Sequence, residues 1–280
     1  MVLRILVSGL LEFDSGKTWT VIALAKHLRE LGLRVSVFKP VAGHNLWGSV
    51  KALKKSIEVG MLVGNDVTAY MEYLGDIKPG PSNPIALALA YPDPLSFRGV
   101  AQYLSMLSDT ASMLVLARVY DCKRNVARHY VFVENVARLT NSVRRNVEDL
   151  AEKFKAVPAD PRSMLESLSG HGAVPVLEGC REVLEEGLDV LIVESFNNAV
   201  APYTRVVDLV DFFIIVAPGR LMLYSGDRLR NVYSILGGAS RVDRLLSALS
   251  RPLVTLELPL VESPTELAQY LSPVAEAIAP

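Results

Sequence analysis

Val7-Ser8-Gly9-Leu10-Leu11-Glu12-Phe13-Asp14-Ser15-Gly16-Lys17-Thr18 decides how this chain is read: an apolar run breaks at a glycine, and the loop that follows ends in Gly-Lys-Thr. Such a loop lets successive backbone N–H groups converge on phosphate oxygens at the start of the next helix, whose partial positive charge favours anions. Lys17 would then reach the β and γ phosphates of a nucleotide, and the Thr18 hydroxyl would ligate Mg²⁺. The flanks agree: Val2 to Ser8 reads as a buried strand, and Val21, Leu24, Leu28 and Leu31 recur at helical spacing before Gly32, the expected helix stop. One spacing departs from the common pattern, because six residues, Leu10 to Ser15, separate Gly9 from Gly16, a longer span than that pattern has. An ordinary strand-loop-helix that happens to contain Gly-Lys-Thr is the plain alternative.

Beyond the loop, further strand-like runs occur at Leu33 to Phe38, Asp189 to Val193, Phe212 to Val216 and Leu253 to Leu256, apolar enough to be buried parallel strands. Helical patterns separate them, including Arg220 to Leu236 and a C-terminal helix opened by Ser263-Pro264-Thr265-Glu266, with a serine N-cap, a first-turn proline and a capping-box glutamate. This alternation predicts an α/β protein: a doubly wound, mostly parallel sheet with helices on both faces, residues 1–280 forming one domain. Ligands in such sheets bind beyond the carboxyl ends of the strands, where Gly9 to Thr18, Lys39, Glu194 and Ala217 to Arg220 would lie. The middle differs. Met113 to Tyr120 and Val126 to Glu134 read as an antiparallel hairpin, followed by a charged helix near Asn141 to Phe154, so residues 95–170 are expected to form an inserted hairpin-plus-helix subdomain. Pro79 to Pro84 and Tyr91 to Pro94 read as surface loops.

Composition narrows the function classes. Half of the 280 residues are apolar and the formal net charge is −1, ample for a core and without the basic footprint of a nucleic-acid binder. Small-molecule chemistry is expected, with no nucleic-acid and no membrane partner. Cys122 and Cys180 stand far apart without metal-ligand spacing, so neither a disulfide framework nor a zinc site is expected. No signal-peptide pattern or membrane-length apolar stretch is seen, which makes a cytoplasmic protein the expectation. His27, His44, His129 and His171 are scattered; His44, just past Lys39, is the one placed to approach a substrate, although a lone histidine is more often a packing residue.

With the loop in place, the second strand ends in Val37-Phe38-Lys39-Pro40-Val41, a later strand in Val193-Glu194-Ser195, and Gly64-Asn65-Asp66 opens a helix-like run through Tyr73. In this order the residues resemble the dethiobiotin synthetases, P-loop NTPases of the dethiobiotin synthetase and cobyrinic acid a,c-diamide synthase superfamily. Asn83-Pro84, Pro92 to Pro94 and Glu257 to Pro264 are similar to that family's later loops, and the likeness spans about two thirds of the chain. The resemblance implies that ATP binds Gly9, Glu12, Phe13, Asp14, Ser15, Gly16, Lys17 and Thr18, with Glu262 in the nucleotide-base loop. It implies Mg²⁺ held by Thr18, Asp66 and Glu194, and catalysis by Lys17, Lys39 and Glu194. Two lysines and a metal around one phosphate make a workable electrostatic clamp. Each also has a plain reading: Lys39 a solvated strand-end lysine, Asp66 a helix N-cap.

The substrate end departs from the family. Where the synthetases carry a glycine-rich segment after Val-Glu, this chain has Ser195-Phe196-Asn197-Asn198, which makes Asn197 and Asn198 the candidate substrate-binding residues. The implied activity is an ATP-dependent, ligase-like activation of a carbamate or carboxylate in a homodimer. The competing reading is a regulatory or partner-controlled ATPase of the same superfamily. The division and partition ATPases carry a lysine just after the first loop glycine, where this chain has Leu10 and Leu11.

Overall fold

A computed structural model describes residues 2–169, 172–238 and 241–278. The described strands are β1 (Leu3–Gly9), β2 (Val35–Phe38), β3 (Val41–Asn45), β4 (Ile85–Leu89), β5 (Leu114–Asp121), β6 (Val126–Val131), β7 (Val157–Pro158), β8 (Val190–Glu194), β9 (Phe212–Ala217), β10 (Arg220–Ser225) and β11 (Val254–Glu257). The chain divides into two compact units. The first comprises Met1–Pro40, Ala69–Lys78 and Arg181–Pro280, and the second Val41–Thr68 and Pro79–Cys180.

The first unit is built on a sheet of order β11-β10-β9-β1-β8-β2. β9, β1, β8 and β2 run parallel, and their central residues, Ile5 to Val7, Leu191 to Val193 and Phe213 to Val216, are buried. Apolar runs without alternation suit strands covered on both faces. The expected α/β class holds, but the sheet is mixed, because β10 and β11 join its edge antiparallel.

Those two strands correct two expectations. Arg220 to Ser225, read above as the start of a helix, is a strand: Pro218-Gly219, with Gly219 at φ +72°, turns the chain back so that Leu221 and Leu223 bury against β9. The helix begins only at Gly226, where the Ser225 hydroxyl accepts from the Arg228 N–H. Leu253 to Leu256 is likewise not a buried parallel strand. β11 alternates half-buried and exposed residues, as a sheet edge does.

Helix α1 (Lys17–Glu30) packs on β1, β2 and β8. It ends as the sequence anticipates: Gly32 takes φ +86°, the Gly32 N–H bonds to the Arg29 carbonyl, and the Leu33 N–H to the Leu28 carbonyl. Only a residue free of a Cβ clash adopts that left-handed turn readily. From β1 the chain crosses to β2 beyond β8, whereas from β8 it crosses to β9 beyond β1. The two crossovers leave neighbouring strands in opposite directions, the arrangement past whose carboxyl ends open α/β sheets bind ligands.

The second unit carries a sheet of order β3-β4-β5-β6-β7. The expected hairpin is present as antiparallel β5 and β6, although Val133–Ala137 turns helical, and the charged helix spans Asn141–Lys153. The hairpin belongs to a unit that already begins at Val41, so the second body takes in more than residues 95–170; Gly170 and His171 lie outside the described residues. Pro79–Ser82 forms a helical turn rather than a plain loop. Leu46, Ala86, Ala88, Leu116, Val147 and Leu150 make the core between sheet and helices. Cys122 and Cys180 are joined by a disulfide, contrary to the sequence expectation. Their separation of 58 residues hides the fact that the hairpin tip meets the helix Val174–Glu185, with Cα atoms 5.0 Å apart.

Candidate functional site

The register of the parallel strands assembles the site in the first unit. Val7 lies opposite Glu194 and Phe38 opposite Val193, so the residue after Phe38, Lys39, emerges beside Glu194 at the carboxyl end of the sheet. Both are almost wholly buried, and the Lys39 ammonium donates to Glu194 Oε1 at 2.7 Å and to the Ser195 carbonyl at 2.7 Å. A buried cation and anion offset each other's lost hydration only with such close geometry. The Thr18 hydroxyl donates to the same Oε1 at 3.0 Å, and the Tyr70 hydroxyl donates to Oε2. Glu194 is therefore held on both oxygens.

Gly9 ends β1, and the Leu10 N–H bonds to the Val216 carbonyl at 2.9 Å, tying the loop's first residue to β9. The buried Ser15 hydroxyl accepts from the Leu11 N–H and donates to the Leu11 carbonyl, pinning the loop across its middle. A Cβ on Gly9 would stand 2.6 Å from Ser15 Oγ and 2.8 Å from Lys17 Nζ, so the glycine makes room for the lysine to fold back over the loop. Asp14 at φ +55° and Gly16 at φ +88° turn the chain into α1, and the Thr20 N–H closes the first helical turn on the Gly16 carbonyl. Lys17 Nζ donates to the Asn197 carbonyl at 2.8 Å, while Asn197 itself adopts φ +45°.

Of the residues expected in a site, the first unit thus brings together Gly9, Ser15, Gly16, Lys17, Thr18, Lys39, Glu194 and Asn197. Glu12, Phe13 and Asp14 lie exposed on the loop. The Asn198 carbonyl accepts from the Val242 N–H, which fastens the segment after β8. Glu262 is exposed before the helix Pro264–Ala268, and its N–H donates to Glu266 Oε2, so the capping-box glutamate serves Glu262 rather than the Ser263 N–H. Asp66 lies in the first turn of helix α3 (Asn65–Leu74), in the second unit. Asp189 is structural: Arg34 donates to both its oxygens and holds its carboxyl below the usual range. Sequence reading missed Tyr70, because its bond to Glu194 joins groups 124 residues apart in the chain.

The donor set fits a hard cation in part. Thr18 Oγ1 and Glu194 Oε1 are 3.0 Å apart, about the edge of an octahedron whose oxygens stand about 2.1 Å from Mg²⁺. Lys39 occupies the same carboxylate oxygen. Among the described residues no group of three or more His, Cys, Asp or Glu is arranged to hold a metal, so the cation would depend on phosphate oxygens and water. Among the described residues no helix is long and apolar enough to cross a membrane. No protein-family model, curated protein or solved structure matches the chain.

Proposed function

We propose that the first unit binds ATP and Mg²⁺ at the Gly9–Thr18 loop and is a P-loop NTPase that activates a carbamate or carboxylate in a ligase-like reaction. The observation that supports this most is the sharing of Glu194 by Thr18 and Lys39 beside the Lys17 loop, at the mouth of parallel strands. Loop amides and Lys17 would bind the β and γ phosphates, with Lys17 leaving the Asn197 carbonyl for the nucleotide. Lys39 would orient and neutralise the transferring phosphoryl group, the larger part of what a protein does in such transfers. Thr18 and Glu194 would hold the cation, which when bound supplies further neutralisation of phosphate charge.

Calorimetric titration with ATP and Mg²⁺ tests the reading. Lys17→Ala should lower affinity by about two orders of magnitude, as loss of a charge-assisted contact does. Unchanged affinity would overturn the phosphate-loop assignment. Phosphate release that depends on 7,8-diaminononanoate with bicarbonate would support a synthetase-like reaction; ATP binding indifferent to them moves the search to other carboxylates and amines.

A partner-controlled ATPase is the second reading, and one contact favours it. The segment that replaces the synthetases' glycine run holds the phosphate-loop lysine through the Asn197 carbonyl. A cytoplasmic location belongs to the first reading, and the Cys122–Cys180 bond stands against it outside the disulfide-rich cytosol of hyperthermophiles.

A further inference from the structure

In the second unit, Val119 lies on β5, the middle strand of the five-stranded sheet, yet it is only half-buried, whereas Leu114 to Arg118 before it on that strand are all buried. Ile85 on β4 is its register partner, so the two side chains stand on one face of the sheet. A sheet face at the centre of a unit is ordinarily covered by a packed layer. Here the cover is incomplete, and a cavity of about 340 Å³ opens over Ile85 and Val119. Met164 and Leu168 of the helix Pro161–Ser169 and Val176 of the helix Val174–Glu185 wall it. Every lining residue belongs to the second unit. The volume falls within the range of small-molecule sites, about 300–1,000 Å³, and a mostly apolar lining with a few placed polar groups is their usual character.

The polar groups are gathered on one wall. Asp160, Ser163 and Ser167 recur at helical spacing along the helix Pro161–Ser169, and all three line the cavity. Asp160 caps that helix: its Oδ1 accepts from the Ser163 N–H at 2.8 Å, which holds the carboxyl below its usual range. A carboxylate has about four acceptor sites, so the cap leaves it able to accept from a ligand. Among the described lining residues Asp160 is the only charged one, and Tyr130 adds an aromatic ring. Arg162 also acts on Asp160, but it does not line the cavity, and its guanidinium donates to Asp109 Oδ2 at 2.7 Å. A second cavity of about 360 Å³ adjoins at Ala159 and Asp160, and the one further charge in its lining, Glu134, is acidic too. The polar end of an occupant must therefore suit a carboxylate and hydroxyls. A positive end meets only opposite charge there, and a negative end meets repulsion.

We propose that this cavity binds a small organic cation, with its ammonium on Asp160 and its apolar body against Ile85, Val119, Met164 and Val176. The inference does not depend on ATP binding at the Gly9–Thr18 loop, which belongs to the other unit. Its test uses the full chain labelled at the methionine methyl groups, with the Met164 resonance assigned through Met164→Leu. Benzylamine, benzyl alcohol and phenylacetate are titrated separately at pH 7 and equal ionic strength, so that similar aromatic bodies carry a cation, a neutral donor and an anion.

Benzylamine should shift the Met164 methyl resonance saturably, with affinity about tenfold or more above that of the alcohol, and phenylacetate should not shift it. Asp160→Asn keeps a good helix cap and should lower benzylamine affinity about tenfold or more, the loss of a charge-assisted hydrogen bond, while leaving the alcohol unaffected. A Met164 resonance that benzylamine does not move saturably overturns the proposal. So does an alcohol or anion that binds as tightly as the amine, or amine affinity undiminished in folded Asp160→Asn. The three-ligand comparison is made in protein that keeps Asp160, so it decides the matter even where the variant fails to fold.

Discussion

Removing Lys39 should expose how strongly the buried site depends on its charge balance. Lys39→Met deletes the donor to Glu194 Oε1 and to the Ser195 carbonyl, each at 2.7 Å. Glu194, 1% exposed, keeps the Thr18 and Tyr70 hydroxyls but loses the ammonium on Oε1. Opposite unit charges about 3 Å apart attract by about 5 kcal/mol at an effective dielectric near 20, and orphaning one member of a buried pair costs about 3–5 kcal/mol. Glu194→Gln should cost somewhat less, since the amide still offers an oxygen to the ammonium. In the double variant neither member of the pair keeps its charge, and the glutamine can bond to Thr18 and Tyr70; its cost should be about 1–2 kcal/mol. The coupling between the two sites is then about 3 kcal/mol or more. Urea unfolding read by Trp19 in a Trp47→Phe background reports the first unit alone, because Trp19 belongs to it and Trp47 to the second. Additive single effects, within about 0.5 kcal/mol, would refute the claim that the pair is one electrostatic unit.

The second unit should lose stability in acid. His44 and His129 titrate near 4 when folded, against 6.5 as the ordinary value. The unfolded chain thus binds more protons between these values, and stability is full above about pH 6.5 and falls as the pH drops toward 4. Each contributes about 3 kcal/mol at pH 7; a Trp47-detected unfolding free energy flat over that range would refute this. Reducing Cys122–Cys180, which closes a 58-residue separation, should cost about 4 kcal/mol on chain-entropy grounds. A Trp47 unfolding midpoint unmoved by a thiol reductant would contradict it. Gly9→Ala should weaken ATP binding about tenfold or more by calorimetry, because its Cβ meets Ser15, which Leu11 holds in place. Unchanged affinity would show that the loop does not need the close approach.

The sequence alone determined the elements whose cause is local. The apolar run Ile5 to Val7 made β1, Gly16 and Gly32 bounded α1, and Ser263 capped the helix Pro264–Ala268, because strand burial, left-handed turns and caps are written in neighbouring residues. It also marked Lys39 and Glu194 as strand-end residues, but their partnership came from parallel register, which depends on how β2 and β8 pair across 155 residues of chain separation. Arg220 to Ser225 shows the opposite failure: its leucines fit a helix or a strand, and pairing with β9 chose the strand. Tyr70 on Glu194, the Cys122–Cys180 bond and the unpartnered His44 were invisible for the same reason. Each is a contact, or the want of one, between groups distant in sequence, and only packing decides which side chains share a buried space.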